Sequence, residues 1–88
     1  MSYEFKKTEK VVNGIKHSVV LSEGELTYQV DIRENNIVVE RFIQAKSNGY
    51  CRWHKRCSKA HELLCMPGEI MNDVHNLYEH FSAKLLAM

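Results

Sequence analysis

Apolar and polar residues alternate with a period of two through the first half of this chain, and apolar residues recur every three to four positions through the second. Ile15, His17, Val19 and Leu21 alternate with Lys16, Ser18, Val20 and Ser22, which predicts a strand. Leu26, Tyr28, Val30 and Ile32 alternate more cleanly with Thr27, Gln29, Asp31 and Arg33, which predicts another, and Glu23-Gly24-Glu25 is the short connection between them. Asn13-Gly14 suits a type I′ turn, because both central positions need positive φ. An earlier strand through Tyr3, Phe5 and Val11 then pairs back, diluted by the charged run from Lys6 to Lys10. Asn35-Asn36 is a further turn signal and leads into Ile37 to Ile43, where Ile37, Val39 and Ile43 fall on one parity and Val38 and Phe42 on the other. That run does not declare a single buried face. The first half reads as a three- or four-stranded antiparallel meander.

The second half reads as helices. Tyr50, Trp53, Cys57, Ala60 and Leu64 follow one helical stripe, with Ser47 or Asn48 as the N-cap and Pro67-Gly68 as the stop. A second helix starts at about Glu69, with Ile70, Val74, Leu77, Tyr78, Phe81, Leu85 and Met88 on one face. The short connection favours an antiparallel helical hairpin. Asn48-Gly49 also admits a turn into a fifth strand, Tyr50 to His54. Strands first and helices after them is the order of an α+β fold. The expectation is one domain over residues 1–88, with a strand region at 1–45 and a helical region at 46–88 packed on one face of the sheet. The other face, with Lys16, Ser18, Thr27, Gln29, Asp31 and Arg33, is expected to be solvated.

Composition adds a charge pattern. The 88 residues carry a net charge of +1, which hides a segregation. Residues 1–45 sum to −1, residues 46–61 to +5 with no carboxylate, and residues 62–88 to −3. The hydrophobic fraction of 44% and the scarcity of Pro and Gly argue for an ordered chain with one modest core. Three cysteines cannot all pair, and the opening MSYEFKKTEK carries no apolar signal region, so a reducing cytoplasm is the expected compartment. No apolar run is long enough to span a bilayer.

The basic residues define the candidate site. Read as a helix, Arg52, Lys55, Arg56 and Lys59 fall at i, i+3, i+4 and i+7 and form one cationic stripe opposite the apolar one, with Lys46 beside it. Like charges at that spacing repel by about 0.2–0.5 kcal/mol per pair, a cost that an anionic partner removes. The stripe suits docking to an acidic surface of a larger protein, with Arg52 and Arg56 pairing bidentately with carboxylates. It also suits phosphate contacts to nucleic acid, extended by Lys6, Lys7 and Lys10, or a plain solvated face. The near-neutral charge weighs against a dedicated nucleic-acid binder. Tyr50 and Trp53 fall on the apolar side and are expected in the core. Tyr78, Phe81, Leu85 and Met88 offer a homodimer contact if the sheet leaves them uncovered.

Catalytic and metal signatures are weak. Cys51, His54, Cys57, His61 and Cys65 are zinc-ligand types, but one helix cannot converge four of them on an ion, so no metal is expected. Cys57 and His61 lie one helical turn apart, yet neither an oxyanion donor nor an orienting third group accompanies them. No phosphate loop, His-Glu-x-x-His or Gly-x-Ser-x-Gly motif occurs. The expectation is a non-enzymatic regulatory or inhibitory protein without a cofactor. Its small size would suit an accessory factor of a phage or mobile element.

Overall fold

Asparagines set the turns of the meander. In this computed structural model, which describes residues 3–47, 51–55 and 73–88, Asn13 and Gly14 take φ of 52° and 80°, and Asn35 and Asn36 take 52° and 68°. Asparagine tolerates this left-handed region better than other side chains, because its short amide bonds locally. Asn35 is also anchored across the sheet: its Oδ1 accepts from the Lys16 amide at 3.1 Å, and its own amide donates to the Lys16 carbonyl at 2.8 Å. The second turn is thereby tied to the start of the strand after the first.

The elements are β1 (Tyr3–Val12), β2 (Ile15–Glu23), β3 (Thr27–Glu34), β4 (Ile37–Ala45), β5 (Cys51–Lys55) and one helix, α1 (Val74–Leu86). All five strands are antiparallel neighbours in sequence order, so the sheet is a simple meander. The fold is α+β, but a three- or four-stranded sheet with a two-helix hairpin is overturned. A fifth strand runs where the first helix was expected, and the described residues hold a single helix. The apolar residues on both parities of Ile37–Ile43 have a different cause, a bulge that switches which parity faces the helix. Strand pairing to β4 overrides a helical spacing that also fits residues 51–55.

A bulge completes the account of β4. Ile32 pairs with Glu40 and Arg33 with Val38, which leaves Val39 as an extra residue. The shift puts Ile37 and Phe42 on the same face although they are five positions apart. Phe42 is fully buried there, whereas Ile37, near the strand's end, is exposed.

α1 is shorter than its periodicity predicts. Asp73 is extended (φ −144°, ψ 121°), so no helix runs through it from Glu69; it caps α1 instead, accepting from the His75 amide at 2.8 Å. Gln44 Oε1 takes the Val74 amide at 2.9 Å, fastening the helix start to β4. Lys84 lies in the last turn, where a cation opposes the helix dipole. Val74, Leu77, Tyr78, Phe81 and Leu85 face Val19, Leu21, Val30 and Phe42 of the sheet, and Phe42 stacks on Phe81 with centroids 5.5 Å apart. Each such side chain contributes about 1.5–3 kcal/mol through burial. Tyr78, Phe81 and Leu85 are therefore engaged by their own sheet and do not form the open stripe that a helix-mediated dimer needs; only Met88 of that set is exposed.

The opposite sheet face also departs from expectation. Ser18, Val20, Ser22 and Asp31 are buried on it, so its centre is not solvated. Among the described residues, no helix is long and apolar enough to cross a membrane.

Candidate binding surface

On the face away from α1, Asp31 is 1% exposed and sits at the centre of a polar network. Arg41 Nε and Nη2 donate to its two oxygens at 2.8 and 3.2 Å, Gln29 Nε2 donates at 3.2 Å, and Arg33 Nη2 at 3.4 Å. Arg33 also reaches Glu4 at 3.3 Å. The bond to Asp31 raises the Arg41 pKa, against the opposing effect of burial. A carboxylate this buried persists because its lone pairs are satisfied by charged donors.

The β1 lysines are similarly engaged. Lys7 and Lys16 bracket Glu9 at 2.9 and 3.0 Å, and together they hold its carboxyl below the usual range. Lys6 lies 3.5 Å from Glu79, and Lys10 donates to the main-chain oxygens of Leu86 and Met88 at the end of α1. The last interaction satisfies helix C-terminal carbonyls that have no partner within the helix.

Of the five basic residues read from the sequence as a contact site, Lys46 lies just past β4. Its Nζ is 2.6 Å from Glu23 and 4.9 Å above the Tyr28 ring. Glu23 raises the Lys46 pKa, and Lys46 in turn lowers that of Glu23, which also accepts from the Tyr3 hydroxyl at 3.2 Å. Tyr28 meets His75 edge-on at 5.2 Å, so this corner joins β2, β3, β4 and the start of α1.

Arg52 and Lys55 lie on a strand, not on a helix. In register they stand opposite Ile43 and Arg41, two positions that share the face carrying Asp31. Three residues apart on a regular strand would put them on opposite sides; the shift at His54 cancels that difference. Arg56 and Lys59 lie outside the described residues, so the four-residue helical stripe is overturned at its first two members and extends past what is described at the others. Sequence reasoning grouped Arg52 with Lys55 by helical spacing; the sheet groups them through a bulge.

The Cys/His series divides in the same way. Cys51 and His54 belong to β5, whereas Cys57, His61 and Cys65 lie outside the described residues, as do Tyr50 and Pro67-Gly68. Among the described residues, no group of three or more His, Cys, Asp or Glu side chains is arranged to hold a metal ion. His17 is half-buried, 3.8 Å from Glu34 across the β2–β3 pair. Burial lowers the pKa of His80, with a smaller push from Lys84.

The Asp31 network was not anticipated. Its signal in the sequence is a carboxylate in mid-strand, between the β-formers Val30 and Ile32, with Arg33 two positions away on the same parity. No protein family, curated protein or solved structure matches this chain.

Proposed function

We propose that this is a non-enzymatic binding protein, regulatory or inhibitory in role, that docks an acidic surface of a larger protein in a reducing cytoplasm. The contact centres on β5, with Arg52 and Lys55 at the register positions opposite Ile43 and Arg41, and takes in Arg56 and Lys59, which follow in the sequence. One observation carries this reading. Lys6, Lys7, Lys10, Lys16, Arg33, Arg41 and Lys46 are each matched by a carboxylate or a main-chain oxygen of the same molecule. The chain holds no acid between Glu40 and Glu62, so its positive excess concentrates at β5 and the residues that follow.

Among the described residues β5 is the last strand of the sheet, and such a strand supports this role in two ways: main-chain groups on its outer side can pair, and charged residues on it select partners and steer encounter. Lys46, at the same end of β4, adds to the field there while its ammonium stays paired with Glu23. The same residues would also suit phosphate contacts, and nonspecific duplex and single-stranded DNA at two salt concentrations test that alternative. Binding that weakens with a log–log slope near −3 to −4 would favour nucleic acid, since about 0.9 counterion is released per phosphate contact. The protein reading is tested by capture with immobilised wild type and the R52E/K55E variant. A partner retained by the first and lost from the second supports it; an identified partner held equally by both refutes it.

A further inference from the structure

β1 ends the sheet, and its outward main-chain groups follow from the turn beside it. Asn13 and Gly14 form a two-residue loop with both φ positive, so the flanking pair Val12 and Ile15 exchanges both main-chain hydrogen bonds. Antiparallel pairs alternate between bonded and non-bonded. Stepping back along the register, Lys10, Thr8 and Lys6 bond to β2, whereas Val11, Glu9 and Lys7 turn their N–H and C=O groups away from it. Among the described residues, no strand occupies that outer side.

Edges are commonly shielded by lysines and bulges. β1 has a register shift at Phe5 and three lysines, but two of these are engaged with α1. Lys6 pairs with Glu79, and Lys10 caps the end of α1. That leaves Lys7 and Glu9, half-exposed neighbours 2.9 Å apart on the face away from the helix.

We infer that β1 is a self-pairing edge, to which a second copy of this chain adds antiparallel with Thr8 on the two-fold axis. A symmetric contact places the same segment on both sides of the axis. Registers that bring outward groups together near the middle of the strand centre on Lys7, Thr8 or Glu9. The first opposes Lys7 to Lys7 and the third opposes Glu9 to Glu9, both destabilising. The Thr8 register instead sets each Lys7 against Glu9 of the other copy and pairs residues whose N–H and C=O groups both point outward. Lys7 already meets Glu9 along its own strand, so the joined edge closes a ring of alternating charge. On the helix side this register opposes Lys6 to Lys10, a like-charge cost that Glu79 beside each Lys6 offsets in part.

Sedimentation equilibrium of the full chain, from micromolar to near-millimolar concentration, tests this. Wild type dimerises at the upper end, K7E and E9K stay monomeric, K7E/E9K dimerises again, and a mixture of the two single variants forms a heterodimer. The Lys7 and Glu9 amides gain exchange protection as wild type is concentrated. Wild type that remains monomeric overturns the inference, as do single variants that assemble equally well or Lys7 and Glu9 amides whose exchange ignores concentration. Circular dichroism checks that each variant folds; if a single variant does not, the double variant and the amide exchange still decide.

Discussion

Arg41 grips Asp31 through two guanidinium nitrogens, Nε at 2.8 Å and Nη2 at 3.2 Å, on a sheet face that no described helix covers. The carboxylate is 1% exposed, while the Arg41 side chain keeps 31% of its surface. That asymmetry decides which partner matters more. An arginine left alone can turn its head to water, but a buried carboxylate left alone cannot.

Arg41→Met leaves Asp31 only its longer bonds to Gln29 and Arg33 and is expected to destabilise the fold by about 3 kcal/mol, and Asp31→Asn by less. The double variant should cost less than the sum of the two, because it removes the stranded charge. Urea denaturation of the three variants and wild type measures both expectations.

Phe42 and Phe81 carry the joint between sheet and helix. Either residue changed to Ala should cost about 3–5 kcal/mol, since the side chain is buried and leaves a cavity. A double-mutant cycle should return about 0.5–1.5 kcal/mol of coupling from the stacked rings. Additive losses in denaturant unfolding would show that the rings pack independently.

Gly14 has φ of +80° and nothing within 4 Å of where a Cβ would stand, so backbone strain alone resists a side chain there. Gly14→Ala should cost about 1–2 kcal/mol without altering the fold. Thermal unfolding, with circular dichroism to confirm unchanged strand content, checks this.

Glu23 has a depressed pKa, first because Lys46 donates to it. A carboxylate with a lowered folded-state pKa stabilises above its unfolded value, about 4.3, and that stabilisation is lost as pH falls through the folded value. Lys46→Met should shift the Glu23 carboxyl titration upward in carbon-detected NMR and shrink the acid-side loss of stability. An unmoved titration would place the cause elsewhere.

Much of the fold is legible in the residues. Alternation over Ile15–Leu21 and Leu26–Ile32 marks β2 and β3, Asn13-Gly14 marks the first turn, and Val74, Leu77, Tyr78, Phe81 and Leu85 mark the helix face. β5 is legible only as the alternative that Asn48-Gly49 admits, a strand over Tyr50 to His54, because residues 51–55 are too few to separate the two periods; pairing with β4 settles them. The Asp31 network escapes for a different reason: a period of two assigns residues to a face, but it does not say how deeply that face is buried. The basic residues were visible as a cluster, and their geometry was not, because a bulge at His54 is silent in the sequence.

The central claim is that the cationic β5 edge recognises an acidic protein surface, and comparative capture tests it most directly. Wild type and R52E/K55E, both verified as folded, are immobilised and their retained proteins identified by mass spectrometry, with nuclease present. Wild type is expected to retain a protein with an acidic surface and the variant to release it. Retention of the same partner by both, or retention by wild type that vanishes with nuclease, would contradict it.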